Sequence, residues 1–419
     1  MKTIVLDDDP TGTQSATGVP VLLDSGGDRL HEALRLDDSV YVQTNSRAIS
    51  EARAVRLVAE IREAGCRAAD RLGDNVRFVL RGDSTLRGHV FAESDVLATQ
   101  DSVLLFLPAF PAGGRTTRGG VHYVRVGTED VPAASTEYAE DPVFGFRAGS
   151  LPEYVGEKGN GRRAITVTLE QVRTSGGTAV TDALLDAPSG TVVIPDAVTD
   201  EDVALVHAGL EAAWVHRDVV VRCAAPLAAR CAGVHSTGLL PVPLDRPAGS
   251  ILLVCGSHTS GATAQLTQLE KRHGYRVLTL PTEHALADPV GAGQALAVRA
   301  SADLEKRGVA VIASERRRLE GHDTLDHGQR VMTAITTAVQ VLAGTVRTVV
   351  TKGGITSADV VRVGFGARTA RVRGQVLDGV SVWDLVTADG TVTCVVVPGN
   401  VGDDLALARV LDDLTKDVR

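Results

Sequence analysis

The sequence predicts an α/β protein of two domains, each a mostly parallel sheet covered by helices. Three observations carry this. Short apolar runs alternate with stretches of helical periodicity along most of the chain, the pattern of helix-covered parallel sheets. Hydrophobic residues make up 44% of the chain and aromatics only 3%, so the core rests on Val, Leu, Ile and Ala, the side chains of buried parallel strands. The 419 residues exceed what one ordinary core organises.

The elements follow in chain order. Strands are expected at 3–6, 40–43, 77–80, 103–107, 192–195 and 219–222, then at 251–254, 276–279, 309–313, 348–351 and 395–397. Ser50 is placed to cap a helix that runs to Leu72 and stops at Gly73. Val331, Ile335, Ala338 and Leu342 share a helical face, with Gly344 just beyond. Leu407, Leu411 and Leu414 mark a last helix. Residues 239–250 carry three prolines and a glycine directly before a new apolar strand. The boundary is therefore expected there, giving domains 1–246 and 247–419. Residues 108–161 are rich in Gly, Pro and charge and lack regular periodicity, as in a functional or packed insertion.

Charge and composition exclude several classes. Lys+Arg is 43 and Asp+Glu is 52, a net charge of −9, which disfavours the basic surface that nucleic acid needs. No apolar run approaches the ~20 residues of a membrane span. The amino terminus runs straight into three aspartates, unlike a signal peptide. The five cysteines are scattered, without zinc-like spacing. The expectation is a cytoplasmic protein with reduced thiols and no nucleic-acid or membrane partner. A homodimer is the base-rate expectation for a metabolic enzyme.

Ligands of open parallel sheets bind at the carboxyl ends of strands, so the residues after each strand are the candidates. In the first half these are Asp7-Asp8-Asp9-Pro10-Thr11-Gly12, Thr44-Asn45-Ser46-Arg47 and Arg81-Gly82-Asp83-Ser84-Thr85-Leu86-Arg87-Gly88-His89. Arginine forks suit a carboxylate, and Asp, Ser and Thr suit hydroxyls. Each loop alone reads more simply as a helix cap or a surface ion pair. Three on successive strands point to a site for a polyhydroxy acid. In the second half the loops are Cys255-Gly256-Ser257-His258, Lys352-Gly353-Gly354-Ile355-Thr356 and Pro398-Gly399-Asn400-Val401-Gly402. Glycines admit close backbone approach and helix amino termini attract anions. These loops read as a phosphate cradle without a Walker A motif. No GxGxxG follows Leu6 or Val254, which argues against a dinucleotide oxidoreductase. Together the halves suggest phosphoryl transfer across an interdomain cleft, with Asp8 or Asp9 accepting the hydroxyl proton.

In sequence order the blocks DDDPTGTQ, NSR, RGDSTLRGH, PAFPAGGRTTRGGVHYV, TEYAEDPVFG, EKGNG, GSH, KGGITSADV, GQVLDGVSVW and PGNVG resemble those of the four-carbon acid sugar kinases. The resemblance covers essentially the whole chain. It implies an ATP- and Mg²⁺-dependent kinase acting on the 4-hydroxyl of threonate, erythronate or a 3-oxo form. By position it implies substrate contacts on the aspartates of DDDPTG, Asp8 among them, on Arg47 and on Asp83, Ser84 and Thr85; the reading of the strand ends adds Arg81 and Arg87. It implies nucleotide contacts on Ser257, Gly353, Gly354, Thr356, Gly399, Asn400, Val401 and Gly402; the reading of the strand ends adds Lys352 as a cation and the last helix's amino terminus facing phosphates. Many members of the family read DDLTGA where this chain has Asp8-Asp9-Pro10-Thr11-Gly12-Thr13, and Pro10 fixes φ and removes a donor. The alternatives are a kinase for another small polyhydroxylated acid or a non-catalytic ligand-binding relative.

Overall fold

The computed structural model describes residues 1–24, 26, 28–236, 238–247, 249–316, 325–399 and 401–415. The chain divides into two compact units, Met1–Ala16 with Ser25–His235, and Thr17–Asp24 with Ser236–Arg419. The division falls before the expected 246/247 boundary because the proline-rich stretch packs on the second unit. Leu244 is buried, its N–H donates to Asp413 O at 3.1 Å, and the Leu240 N–H donates to Gln375 O at 2.6 Å.

In the first unit seven strands lie in the order Ser39–Gln43, Lys2–Asp7, Val76–Arg81, Val219–Cys223, Val103–Leu107, Val192–Pro195 and Ala164–Val167. Every neighbouring pair is parallel. Register places Gln43, Asp7, Arg81 and Cys223 in one row at the carboxyl ends. The helix Glu51–Leu72 follows Ser50 and stops at Gly73, whose φ of 66° needs glycine. It buries Ala54, Val58, Ile61, Ala68 and Ala69. The 108–161 stretch is built rather than irregular. Arg115–Arg118, Val121–Val126 and Glu129–Pro132 form an antiparallel three-stranded sheet, and Leu151–Lys158 is a helix opened by a Ser150/Glu153 capping box.

In the second unit Val277–Leu280, Val309–Ser314, Ser250–Cys255, Val346–Lys352 and Gly390–Val397 run parallel in that order. The sheet continues antiparallel through Val380–Thr387, Thr369–Leu377 and Pro20–Leu22. Leu253, Val311, Val350, Val395 and the last helix's Leu407, Leu411 and Leu414 share one core. Among the described residues no helix is long and apolar enough to cross a membrane.

Candidate active site

The first unit gathers its charges at the carboxyl ends of its central strands. Asp7 ends its strand between Gln43 and Arg81 by register. Its carboxylate accepts from Gln43 Nε2 at 2.7 Å and from Arg81 Nη1 at 3.0 Å. Burial pushes its pKa up to about 7, with Asp8 adding to the rise and Arg81 opposing it. Gly12 allows this placement, since a Cβ there would stand 2.0 Å from Asp7 Oδ1.

Asp8 and Asp9, the expected proton acceptors, are both buried, but their surroundings differ. Asp9 caps the 3₁₀ turn Pro10–Ser15. Its Oδ1 accepts from the Thr11 N–H at 2.7 Å and from the Thr11 hydroxyl, and it pairs with Arg47. Asp8 Oδ1 accepts from Arg81 Nη1 at 3.1 Å, and Asp8 Oδ2 accepts from the Asp83 N–H at 3.1 Å. Arg47 Nε and Arg222 Nη2 stand back from Asp8 Oδ2 at 3.5 and 3.6 Å. Asp9 is thus committed to the turn, whereas Asp8 keeps one tight donor on Oδ2.

The 81–89 loop supplies the other expected residues. Arg87 Nε donates to Asp83 Oδ2 at 2.7 Å, the Thr85 hydroxyl donates to the same oxygen, and Arg47 Nη1 lies 3.5 Å from it. Burial acts to raise the Asp83 pKa, but Arg87 and Arg47 outweigh it and hold the carboxyl well below the usual range. Ser84 is buried, and its carbonyl accepts from His122 Nε2 at 2.8 Å. Burial lowers the His122 pKa to about 4, so the ring is neutral. Nε2 carries the proton, and Nδ1 accepts from the Thr117 hydroxyl at 3.0 Å. Leu86 sits at φ 70° and Asn45 at φ 47°, left-handed backbone that asparagine visits readily and a leucine only rarely. His89 bonds the Ile49 carbonyl through Nε2 at 3.0 Å.

Strand-end reasoning passed over Arg222, Glu93, His122's hold on Ser84 and Tyr154, whose hydroxyl donates to Leu86 O at 2.8 Å. Arg222 was within its reach, because it closes an expected strand. Tyr154 was not, since nothing local marks its partner.

Asp7, Asp8 and Asp9 bring carboxylate oxygens within 4.8 Å of one another. Arg81 Nη1 already lies 3.0, 3.1 and 3.1 Å from the three. A guanidinium therefore takes the centre of the triad, which does not fit a resident divalent cation.

In the second unit the expected loops also converge. Thr259 caps the helix Ser260–His273 and donates to Gly399 O at 2.9 Å, while its oxygen lies 3.2 Å from Ser257 Oγ. A Cβ on Gly256 would meet Thr356 Oγ1 at 2.1 Å, and one on Gly399 would meet Ser257 Oγ at 2.8 Å. Gly353 (φ 111°) precedes the helix Gly354–Asp359, which has no side-chain cap. Its first N–H groups suit an anion. Lys352, expected to face phosphate, is instead wholly buried, and its ammonium donates to Pro398 O at 2.7 Å and Val401 O at 3.0 Å. Gln265 holds the same turn through the Gly402 and Asp403 carbonyls at 3.1 and 2.9 Å. The last helix begins at Ala406, and Asp403 accepts the Leu405 N–H at 3.1 Å. That end carries its own carboxylate, so the expectation of phosphate there gives way. Arg316 also donates to the Ser257 carbonyl. Asn400 lies outside the described residues.

Residues 3–231 match a family model described as a sugar-binding N-terminal domain, and residues 252–407 match a nucleotide-binding C-terminal domain. The chain is 29% identical over 302 residues to a D-erythronate kinase of Heliobacterium modesticaldum, covering 68% of this chain and 64% of that protein. It is 30% identical over 266 residues to a D-threonate kinase of Bordetella bronchiseptica, covering 61% and 56%. It is 31% identical over 216 residues to a D-threonate kinase of Cupriavidus necator, covering 50% and 49%. Each match spans less than two thirds of the relative. Solved structures from Salmonella typhimurium LT2 (TM-score 0.68, 19% identity, 97% of this chain and 98% of that one) and Haemophilus influenzae (0.61, 17%, 98% and 100%) share the fold. With both domain models matched in order along the chain that carries these loops, the protein belongs to the four-carbon acid sugar kinase family.

Proposed function

We propose that the protein is a kinase that moves the γ-phosphoryl group of ATP to the 4-hydroxyl of a four-carbon sugar acid of the threonate, erythronate or 3-oxo-tetronate type. The observation that carries this is the buried carboxylate–arginine cluster at the carboxyl ends of the first unit's strands. The kinase names of the relatives support the reaction class.

The chemistry asked of the chain is positioning and charge neutralisation. The substrate carboxylate competes with Asp9 and Asp83 for the forks of Arg47 and Arg87, while Asp83, Ser84 and Thr85 take its hydroxyls. Asp8 Oδ2 accepts the proton of the attacking hydroxyl, because Asp9 is spent on its turn. The backbone of Ser257, of 353–356 and of Gly399, Val401 and Gly402 receives the phosphates, with Lys352 and Gln265 holding the last of these loops. Magnesium enters with the nucleotide as MgATP, a substrate.

The test is ATP turnover, with Mg²⁺, against D- and L-threonate, D- and L-erythronate and the 3-oxo-tetronates. Turnover of at least one is expected. Asp8→Asn is expected to lose about 10²- to 10⁴-fold in kcat, the range of a general base, while still binding sugar acid. Silence across the panel with ATP bound would move the substrate outside the four-carbon set. Silence without ATP binding would favour a non-catalytic relative.

A further inference from the structure

We propose that Arg222 and Glu93 form a buried positioning pair that fixes the orientation of the Asp8 carboxylate, and that Gly82 and Gly88 leave room for Arg222 to reach it. Its kinetic arm rests on the kinase reading above; its structural arm does not.

Arg222 and Glu93 are each 2% exposed. Arg222 Nη1 donates to Glu93 Oε2, and Arg222 Nη2 stands 3.6 Å from Asp8 Oδ2. Arg222 Nη2 and Glu93 Oε1 have no hydrogen-bond partner among the described residues. Each such atom pays its desolvation without a hydrogen bond in return, and a buried ion pair can often be replaced by apolar groups without loss. Stability is therefore a poor account of this pair, whereas its reach towards Asp8 is a direct one.

The backbone around the pair is shaped to the guanidinium. A Cβ on Gly82 would stand 2.6 Å from Arg222 Nη2, and one on Gly88 would stand 3.2 Å from Nη2 and 3.5 Å from Asp8 Oδ2. Gly88 also holds φ 127°. The glycines in RGDSTLRGH thus serve a side chain far along the sequence. Register adds a second point. Cys223, not Arg222, pairs with Arg81, so alternation sends Arg222 to the opposite face of the sheet from Arg81. Asp8 is gripped from both faces: Arg81 on Oδ1, and the Asp83 N–H, Arg47 and Arg222 around Oδ2. Glu93, on the helix Val90–Leu97, anchors Arg222.

The double variant Arg222→Met/Glu93→Leu removes both charges together and leaves neither orphaned. It is expected to melt cooperatively near the wild type. Its kcat should fall about 100-fold, the scale of an ångström-level misplacement, while KM for ATP stays within about threefold. Arg222→Lys, which keeps the charge but not the fork, should recover part of the loss. A crystal structure of the double variant should show Asp8 turned away from the Asp83 N–H. A folded double variant with wild-type kcat and Asp8 in place would overturn the proposal. If the double variant does not fold, Glu93→Gln decides: lowered kcat at unchanged ATP KM supports the pair, and unchanged kcat overturns it. If wild-type protein phosphorylates no sugar acid, the kinase reading fails, and the position of Asp8 in the crystal still settles the role of Arg222.

Discussion

Gly12 shows how one absent methyl group sets the chemistry of a site. An alanine there would place its Cβ 2.0 Å from Asp7 Oδ1 and 2.3 Å from Asp7 Cγ, so either the carboxylate or the 3₁₀ turn must move. Asp7 is wedged by Gln43 and Arg81, and the turn is tied by Asp9 to Thr11. Neither yields freely. Gly12→Ala is expected to cost about 1–3 kcal/mol, the range for overpacking a filled core, and to abolish turnover by shifting Asp8 and Asp9 together. Urea denaturation and ATP turnover on one preparation check both halves. A variant with wild-type midpoint and kcat would mean that the turn is softer than its contacts indicate. The sequence pointed to this glycine through its motif alone. That it makes room for Asp7, rather than for a ligand, follows only from the register that brings Asp7 beside Gln43 and Arg81.

Elements were legible in proportion to how far their neighbours in sequence decide them. The strands Val103–Leu107 and Val192–Pro195 are continuous apolar runs, and both were read with the observed ends. The helix Glu51–Leu72 has the expected bounds and glycine stop, but Ser50, expected to cap it, makes no side-chain cap hydrogen bond. Arg115–Arg118 and Glu129–Pro132 are polar hairpin strands with no apolar run to reveal them. Thr369–Leu377 alternates in burial throughout, but Gly374 at φ 148° takes one of its buried positions with no apolar side chain, where the register shifts. Pro20–Leu22 is a three-residue strand whose partner is Thr369–Leu377, a pairing no local signal encodes. The unread hairpins bear on the site. Together with the helix Leu151–Lys158 they hold the 83–89 loop through His122 on Ser84 O and Tyr154 on Leu86 O. Tyr154→Phe removes the bond that steadies Leu86 in its left-handed conformation. The expected result is a loss of about 1 kcal/mol in stability and a raised KM for the sugar acid at unchanged KM for ATP. Steady-state kinetics with each substrate varied in turn makes the measurement, and equal rises in both constants would remove the loop-holding role.

Across the whole molecule, stability integrates groups whose protons differ between folded and unfolded chains. Two buried groups of the first unit pull in opposite directions. Asp7 keeps its proton in the folded state up to about pH 7, whereas an unfolded aspartate releases it near its ordinary value of 3.8. Between those limits the folded chain holds the extra proton, so this contribution to stability is lost as pH rises. His122 is neutral in the folded state down to about pH 4, whereas the unfolded ring takes a proton below 6.5. Between those limits the unfolded chain holds the extra proton, so this contribution is lost as pH falls. The windows overlap from 4 to 6.5, and there the two slopes offset each other. Asp83, held low by Arg87 and Arg47, adds a loss confined to more acid conditions. Wild-type urea midpoints measured at about pH 5 and about pH 6 are therefore expected to differ little on account of this pair. Asp7→Asn unmasks the histidine, and its midpoint should rise from the lower pH to the higher. His122→Gln unmasks the aspartate, and its midpoint should fall over the same interval. If the two variants share one slope, Asp7 and His122 are not the groups that set the pH dependence in this window.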